Sequence, residues 1–141
     1  MLKKAAVFAI ILLILLPVQG IFALDGTQRA ELKNARLVNS FGEAMSQNVN
    51  THQQIQVSAD VTNKQDKPQT FVYIVQIVNQ NNVSQKLTWI SAALNPQQTL
   101  SPAISWSTEK PGTYTAEIYV WDSIKDASAL TPSLEFKITV S

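Results

Sequence analysis

The chain has 141 residues, enough for one domain and too few for two ordinary ones. It carries 11 Lys+Arg against 10 Asp+Glu, so no basic surplus marks it as a nucleic-acid binder. It has no cysteine and a single histidine, which removes disulfide frameworks and the usual zinc and copper ligand sets.

The first residues differ from the rest. Met1-Leu2-Lys3-Lys4 is a basic start, Ala5 to Val18 is an apolar run, and Gln19-Gly20-Ile21-Phe22-Ala23 ends in small residues. This layout predicts an N-terminal apolar helix acting as a secretory signal peptide over residues 1–23, cleaved after Ala23. Ile21, three residues before that bond, is larger than the residue usually found there. The alternative is a retained anchor, since Ala5 to Leu24 approaches the ~20 residues that span a bilayer. Pro17 and Gln19-Gly20 interrupt the stretch and favour cleavage. Removing residues 1–23 takes away Lys3 and Lys4 only, leaving 9 basic against 10 acidic residues. The expected destination is outside the cell or on its surface, with membrane contact only through residues 5–24 if they are kept.

Residues 24–29 read as a flexible leader and residues 30–141 as one domain. In Arg29 to Phe41, Ala35 to Val38 reads as a first strand. Leu32, Ala35 and Val38 also fall at helical spacing, so a helix over Gln28 to Met45 is the competing reading. Val38, Ser40, Phe41 and Gly42 are poor helix residues and favour the strand. Ile55, Val57, Ala59 and Val61 alternate with polar residues, giving a strand with one buried face. Asn63 to Pro68 is a turn. Thr70 to Val78 is apolar on both faces and should lie mid-sheet, covered on both sides. Asn79 to Asn82 is a hairpin loop, and Lys86 to Leu94 is the next strand. Leu100, Pro102, Ile104 and Trp106 share one parity, with Pro102 marking an edge or a bulge.

Pro111-Gly112 then opens the most regular strand of the chain. Tyr114, Ala116, Ile118 and Val120 occupy one face, while Thr115, Glu117, Tyr119 and Trp121 occupy the other. Lys125 to Ser133 is a loop. Leu134, Phe136, Ile138 and Val140 alternate to close an all-β fold, an antiparallel sandwich of about seven strands.

Gly112-x-Tyr114-x-Ala116 resembles the tyrosine corner of immunoglobulin-like folds. Ala116 stands where disulfide-bonded members carry cysteine, and Tyr73 or Phe71 stands where antibody domains carry a tryptophan. The pattern from Gln54 to Val140 resembles the prokaryotic, archaeal-type immunoglobulin-like modules of secreted and cell-surface proteins, including CARDB-like adhesion domains. The resemblance implies an immunoglobulin-like β-sandwich and leaves the activity open.

The residues offer little for catalysis. His52, the sole histidine, sits in the polar run Asn50 to Gln53 and is expected to be a solvated loop residue. No Gly-rich phosphate loop and no cofactor motif occurs. Asp66, Asp122 and Asp126 fall in loops that share one end of such a sandwich, a weak calcium candidate without a dense acidic loop. Asn82-Val83-Ser84 is a glycosylation acceptor triplet. The strongest lead is an outward patch of Tyr119, Trp121 and Trp89, supported by the outer side chains of the Thr70 to Val78 strand. Cover by the segment Leu24 to Phe41 or by a long loop is the alternative. The function expected is a non-enzymatic binding or assembly module that meets an extracellular protein or glycan, or its own copies. A pilin-like filament subunit, with residues 5–24 as the core helix and processing near Lys3-Lys4-Ala5, is the second reading.

Overall fold

The computed structural model describes Leu24 and residues 26–141. The signal peptide of residues 1–23 and the alternative core helix of residues 5–24 lie, but for Leu24, outside the described residues. A single 3-10 turn, Gly26–Gln28, leads into ten strands: β1 Ala30–Val38, β2 Ala44–Met45, β3 Asn48–Val49, β4 Ile55–Asn63, β5 Gln69–Val78, β6 Ser84–Leu94, β7 Thr99–Leu100, β8 Ala103–Trp106, β9 Gly112–Trp121 and β10 Leu134–Val140. They form two facing five-stranded sheets. One runs β2-β1-β4-β7, with β8 also on β4, and the other runs β3-β10-β9-β5-β6. All pairings are antiparallel except β3 with β10. Merging β7 with β8 and setting aside the two-residue β2 and β3 leaves seven main strands, as the alternation of the sequence predicts.

Period-two patterning builds the core. Ile55, Val57, Ala59 and Val61 of β4 face Phe71, Tyr73, Val75 and Ile77 of β5 and Tyr114, Ala116, Ile118 and Val120 of β9, all buried. Ala59 and Ala116 are both fully buried, so packing fills the interior where related sandwiches place a disulfide. Tyr73 takes the central position. Its hydroxyl donates to the carbonyl of Val57 on the opposite sheet at 3.0 Å, and burial pushes its phenol pKa well above the usual value. Tyr114 donates to the carbonyl of Lys110 at 2.7 Å, the geometry of a tyrosine corner, and its ring meets Trp106 edge-on at 4.9 Å. The sheets are thus joined at mid-height through Tyr73 and at one end through Tyr114 and Trp106.

The other end is closed by Asn63. Its buried amide donates to the carbonyls of Lys67, Leu94 and Asn95 at 2.8, 3.2 and 3.3 Å, and its oxygen accepts from the backbone N–H of Gln65 at 3.0 Å. One side chain therefore fixes both the β4–β5 turn and the β6–β7 turn. No buried side-chain polar atom lacks a partner among the described residues.

The first strand is longer than expected and begins at Ala30. Its pairing with β4 shifts register between Lys33 and Arg36, and Asn34 has φ of 57° there. This bulge inserts one residue, so Leu32 and Leu37 both point inward despite their odd spacing. The inserted residue lets Leu32 and Ala35, three apart in the sequence, both reach the core, a spacing also found on one face of a helix. Asp60 braces the bulge. It accepts from Asn34 Nδ2 at 2.8 Å, Arg36 at 3.0 Å and the Ser101 hydroxyl at 2.7 Å. Partial burial works to raise its carboxyl pKa. The hydrogen bonds from Asn34, Ser101 and Arg36, with the Arg36 charge, outweigh that and hold it below the usual carboxylate value.

Two further expectations are corrected. The shared parity of Leu100, Pro102, Ile104 and Trp106 does not give one buried strand. The chain breaks at Pro102, which lacks a backbone donor, and Leu100 is left exposed while Ile104 and Trp106 are buried. The leader is not free at its end, because the Arg29 side chain reaches the Ser128 hydroxyl at 2.7 Å and the Gly26 carbonyl at 2.9 Å.

Tyr114→Phe keeps the ring and deletes the bond to Lys110. It is expected to lower unfolding stability by about 1 kcal/mol, read from the denaturant midpoint with an unchanged slope.

Candidate functional site: the outer face of the β5–β9 sheet

Filling the core with Phe71, Tyr73, Val75 and Ile77 fixes the direction of the intervening side chains. Val72, Ile74 and Val78 must point to the outer face of the sheet. Register then places their neighbours. Ile74 lies between Trp89 of β6 and Tyr119 of β9, and Val72 lies between Ser91 and Trp121. Gln76 lies between Leu87 and Glu117, with Glu135 of β10 beyond Glu117. The result is a three-row surface with an aliphatic centre flanked by aromatic rings. Val72, Ile74 and Val78 are buried, as expected of a strand at mid-sheet.

The Tyr119 and Trp121 rings lie 6.1 Å apart at 57° and are partly exposed. Trp89 is 48% exposed and Leu87 is 58% exposed. The segment Ala30 to Val38 does not cover this face, because it is paired into the opposite sheet. The loop after β9 does not fold over it either; it forms an edge beyond β9, through the bridge of Trp121 with Ala129 and the bond from the Leu130 N–H to the Val120 carbonyl at 2.9 Å.

The tyrosine hydroxyl has a defined role in this surface. Tyr119 donates to Glu117 Oε2 at 2.9 Å. Partial burial, then the Glu117 hydrogen bond and charge, then the Glu135 charge raise its phenol above the usual tyrosine value. Glu117 and Glu135 are directly opposed across β9 and β10, and neither has a basic partner within ion-pair distance among the described residues. The aromatic surface therefore has one acidic border.

The remaining sequence candidates lie elsewhere. Asn82 is at the exposed tip of the β5–β6 hairpin, in a left-handed conformation with φ of 58°. Its accessibility suits a modified residue. His52 is exposed in the turn before β4. Its backbone N–H donates to the Thr108 carbonyl at 2.8 Å, and no hydrogen bond joins its imidazole to a hydroxyl or carboxylate among the described residues. The structure does not gather Asp66, Asp122 and Asp126. No group of three or more His, Asp or Glu side chains among the described residues is placed to hold a cation. Asp122 instead uses one oxygen locally, accepting from the N–H groups of Ser123 and Ser128 at 2.7 and 3.0 Å. Sequence reasoning passed over Phe41, 89% exposed at the tip of the β1–β2 turn. It is held there by Asn39, whose side-chain oxygen accepts from the N–H groups of Phe41 and Glu43.

Two sheets joined this way, with a tyrosine corner on the central strand β9 and β5 beside it, define an immunoglobulin-like β-sandwich. No family model matches the sequence, and no curated protein resembles it in sequence. Solved structures do match. The C-terminal domain of Wzt superposes with a TM-score of 0.65 at 11% identity, over 83% of this chain and 76% of that one. The CARDB domain of the PF1109 protein from Pyrococcus furiosus, solved in complex with di-metal ions, gives 0.54 at 16% identity over 80% and 94%. A family 2 β-glucuronidase gives 0.53 at 12% identity, but only over 10% of its own length. At these identities the likeness is one of fold.

Glu117→Gln removes the charge beside Tyr119. The Tyr119 phenol is expected to titrate closer to the ordinary tyrosine value, read site by site from its ring carbon signal by NMR.

Proposed function

We propose that the protein is a secreted or surface-displayed, non-enzymatic binding module that works through the outer face of the β5–β9 sheet. The observation that carries this reading is the row Trp89, Ile74, Tyr119 beside the row Ser91, Val72, Trp121. The aliphatic side chains are covered by a single layer of rings, Trp89 half exposed and Tyr119 and Trp121 partly exposed, with no further element above them among the described residues. Such a surface binds by burying rings against an apolar or sugar face. Its polar border supplies hydrogen-bond acceptors at Glu117, Glu135 and Gln76. Among the described residues no three or more His, Asp or Glu side chains gather to hold a cation.

The partner is an extracellular protein or a glycan. Among the structures that share the fold are parts of a β-glucuronidase and of a β-glucosidase, enzymes of glycosides, which supports including sugars among the ligands tried. Export rests on the basic-then-apolar start of the chain.

Trp121→Ala is expected to abolish binding while preserving cooperative unfolding, at a stability cost of about 1–2 kcal/mol from the apolar area lost. The measurement is tryptophan emission during titration with a panel of neutral and acidic oligosaccharides and with a cell-envelope protein fraction. Gln56→Ala, on the outer face of the other sheet, is the control and should bind as the parent does. Equal binding by Trp121→Ala and the parent would overturn the assignment of this face. The N-terminus of the protein isolated from its source, read by mass spectrometry, is expected at Leu24. A start at Ala5 or Ala6 would instead favour the filament subunit.

A further inference from the structure

A sandwich of two open sheets has four edges, and unpaired edges invite association unless something blunts them. Three edges of this protein carry such a device. The β1 edge is kinked by the bulge at Asn34 and partly covered by β2. The β7–β8 edge is broken by Pro102. The β10 edge is covered at one end by β3 and carries Glu135 and Lys137 along the rest.

The fourth edge is β6, and it is different. At 11 residues it is the longest strand, it ends its sheet, and it has neither proline nor glycine. Its one irregularity, the register shift against β5 near Gln85, and its one charge, Lys86, both lie at its start. From Leu87 to Leu94 it is uncharged. It exposes apolar side chains on both faces, Leu87 and Trp89 outward and Ile90, 40% exposed, inward. Beneath Ile90 the sandwich opens into an apolar cleft of about 200 Å³ lined by Phe71, Ile90, Ala92, Leu100, Ser101 and Pro102.

We propose that β6 is a pairing edge along which two copies of this chain join antiparallel, fusing their β5–β9 sheets into one continuous sheet. An unpaired edge specifies an extended strand as its occupant, because only a strand satisfies its row of N–H and C=O groups. The surface then specifies an uncharged strand that is apolar on both faces. β6 itself meets that description. The seven residues from Lys86, just past the irregularity at Gln85, to Ala92, two short of the end of β6 at Leu94, have Trp89 as their midpoint. Antiparallel pairing about that midpoint sets Lys86 against Ala92 of the second copy, Leu87 against Ser91, and Thr88 against Ile90. The strand's only charge therefore never meets its twin. The inward Ile90 of the second copy extends the cover of the cleft, and the two outer faces become contiguous across the two-fold axis. Pairing at this edge does not depend on ligand binding to the outer face; the two surfaces share the outward β6 residues Leu87, Trp89 and Ser91.

The test is sedimentation of the purified protein over a concentration series, with amide hydrogen exchange read along β6. The apparent mass is expected to double with concentration, and alternate β6 amides should become protected in step. Trp89→Lys places like charges opposite each other and should raise the dimer dissociation constant roughly tenfold or more. Mixing Trp89→Lys with Trp89→Glu should restore the dimer, since each now faces its opposite. Cooperative unfolding of both variants shows that the half-exposed edge position tolerates them. A protein that stays monomeric with β6 exchanging freely overturns the proposal. So does a dimer indifferent to Trp89→Lys, a mixture that fails to re-form, or β6 protection that appears only when a different polypeptide is added. Trp121→Ala separates the two surfaces: it should still dimerise even where it no longer binds a ligand.

Discussion

The fold turns on the hydrogen bond that crosses its interior from Tyr73 to the Val57 carbonyl. A phenol this buried needs a partner, and the partner is on the opposite sheet. The bond fixes which side of β5 is the inside. Phe71, Val75 and Ile77 follow Tyr73 into the core, and Val72, Ile74 and Val78 are thereby committed to the outside. No disulfide assists, and the alanines at 59 and 116 are fully buried within the apolar packing. The interior is held by close packing and a few well-placed polar bonds in place of a covalent link.

The same commitment makes the face proposed to bind. A central strand with apolar residues on both sides needs cover on both sides. On the inside that cover is a whole sheet. On the outside it is one layer of neighbouring side chains, chiefly Trp89, Tyr119 and Trp121, whose own outer surfaces face solvent. Rings that shield a strand and remain partly exposed can bury their remaining surface against a partner. The Glu117–Glu135 pair sharpens the border, since two opposed carboxylates are unfavourable within the free protein. The unblunted edge of β6 runs along the same face, so the proposed recognition and assembly surfaces adjoin.

Much of this was legible in the sequence where alternation is unbroken. β4, β5, β9 and β10 follow from parity alone, and Tyr114 follows from its place after Pro111-Gly112. Legibility failed where a backbone irregularity changes the count. The bulge at Asn34 shifts parity within β1 and mimics a helical spacing. Pro102 splits a strand that parity alone would join. The tie of Asn63 to two distant turns left no local trace, because Lys67, Leu94 and Asn95 supply only backbone carbonyls, which every residue type offers. The loop acids Asp66, Asp122 and Asp126 were grouped by topology, but Asp122 is occupied by its own loop.

By itself the sequence determined the class of fold, the inward face of each regular strand and the outward direction of Tyr119 and Trp121, because side-chain direction in a strand is set by counting in twos. It also excluded disulfides and cysteine- or histidine-rich metal sites by composition. Tertiary structure alone decided that Trp89 and Tyr119 flank Ile74, that β1 joins the far sheet and not the aromatic face, and that among the described residues β6 has no neighbour on one side. These are facts of register and strand order. They depend on which segments meet across the sandwich, and local periodicity carries no information about that choice.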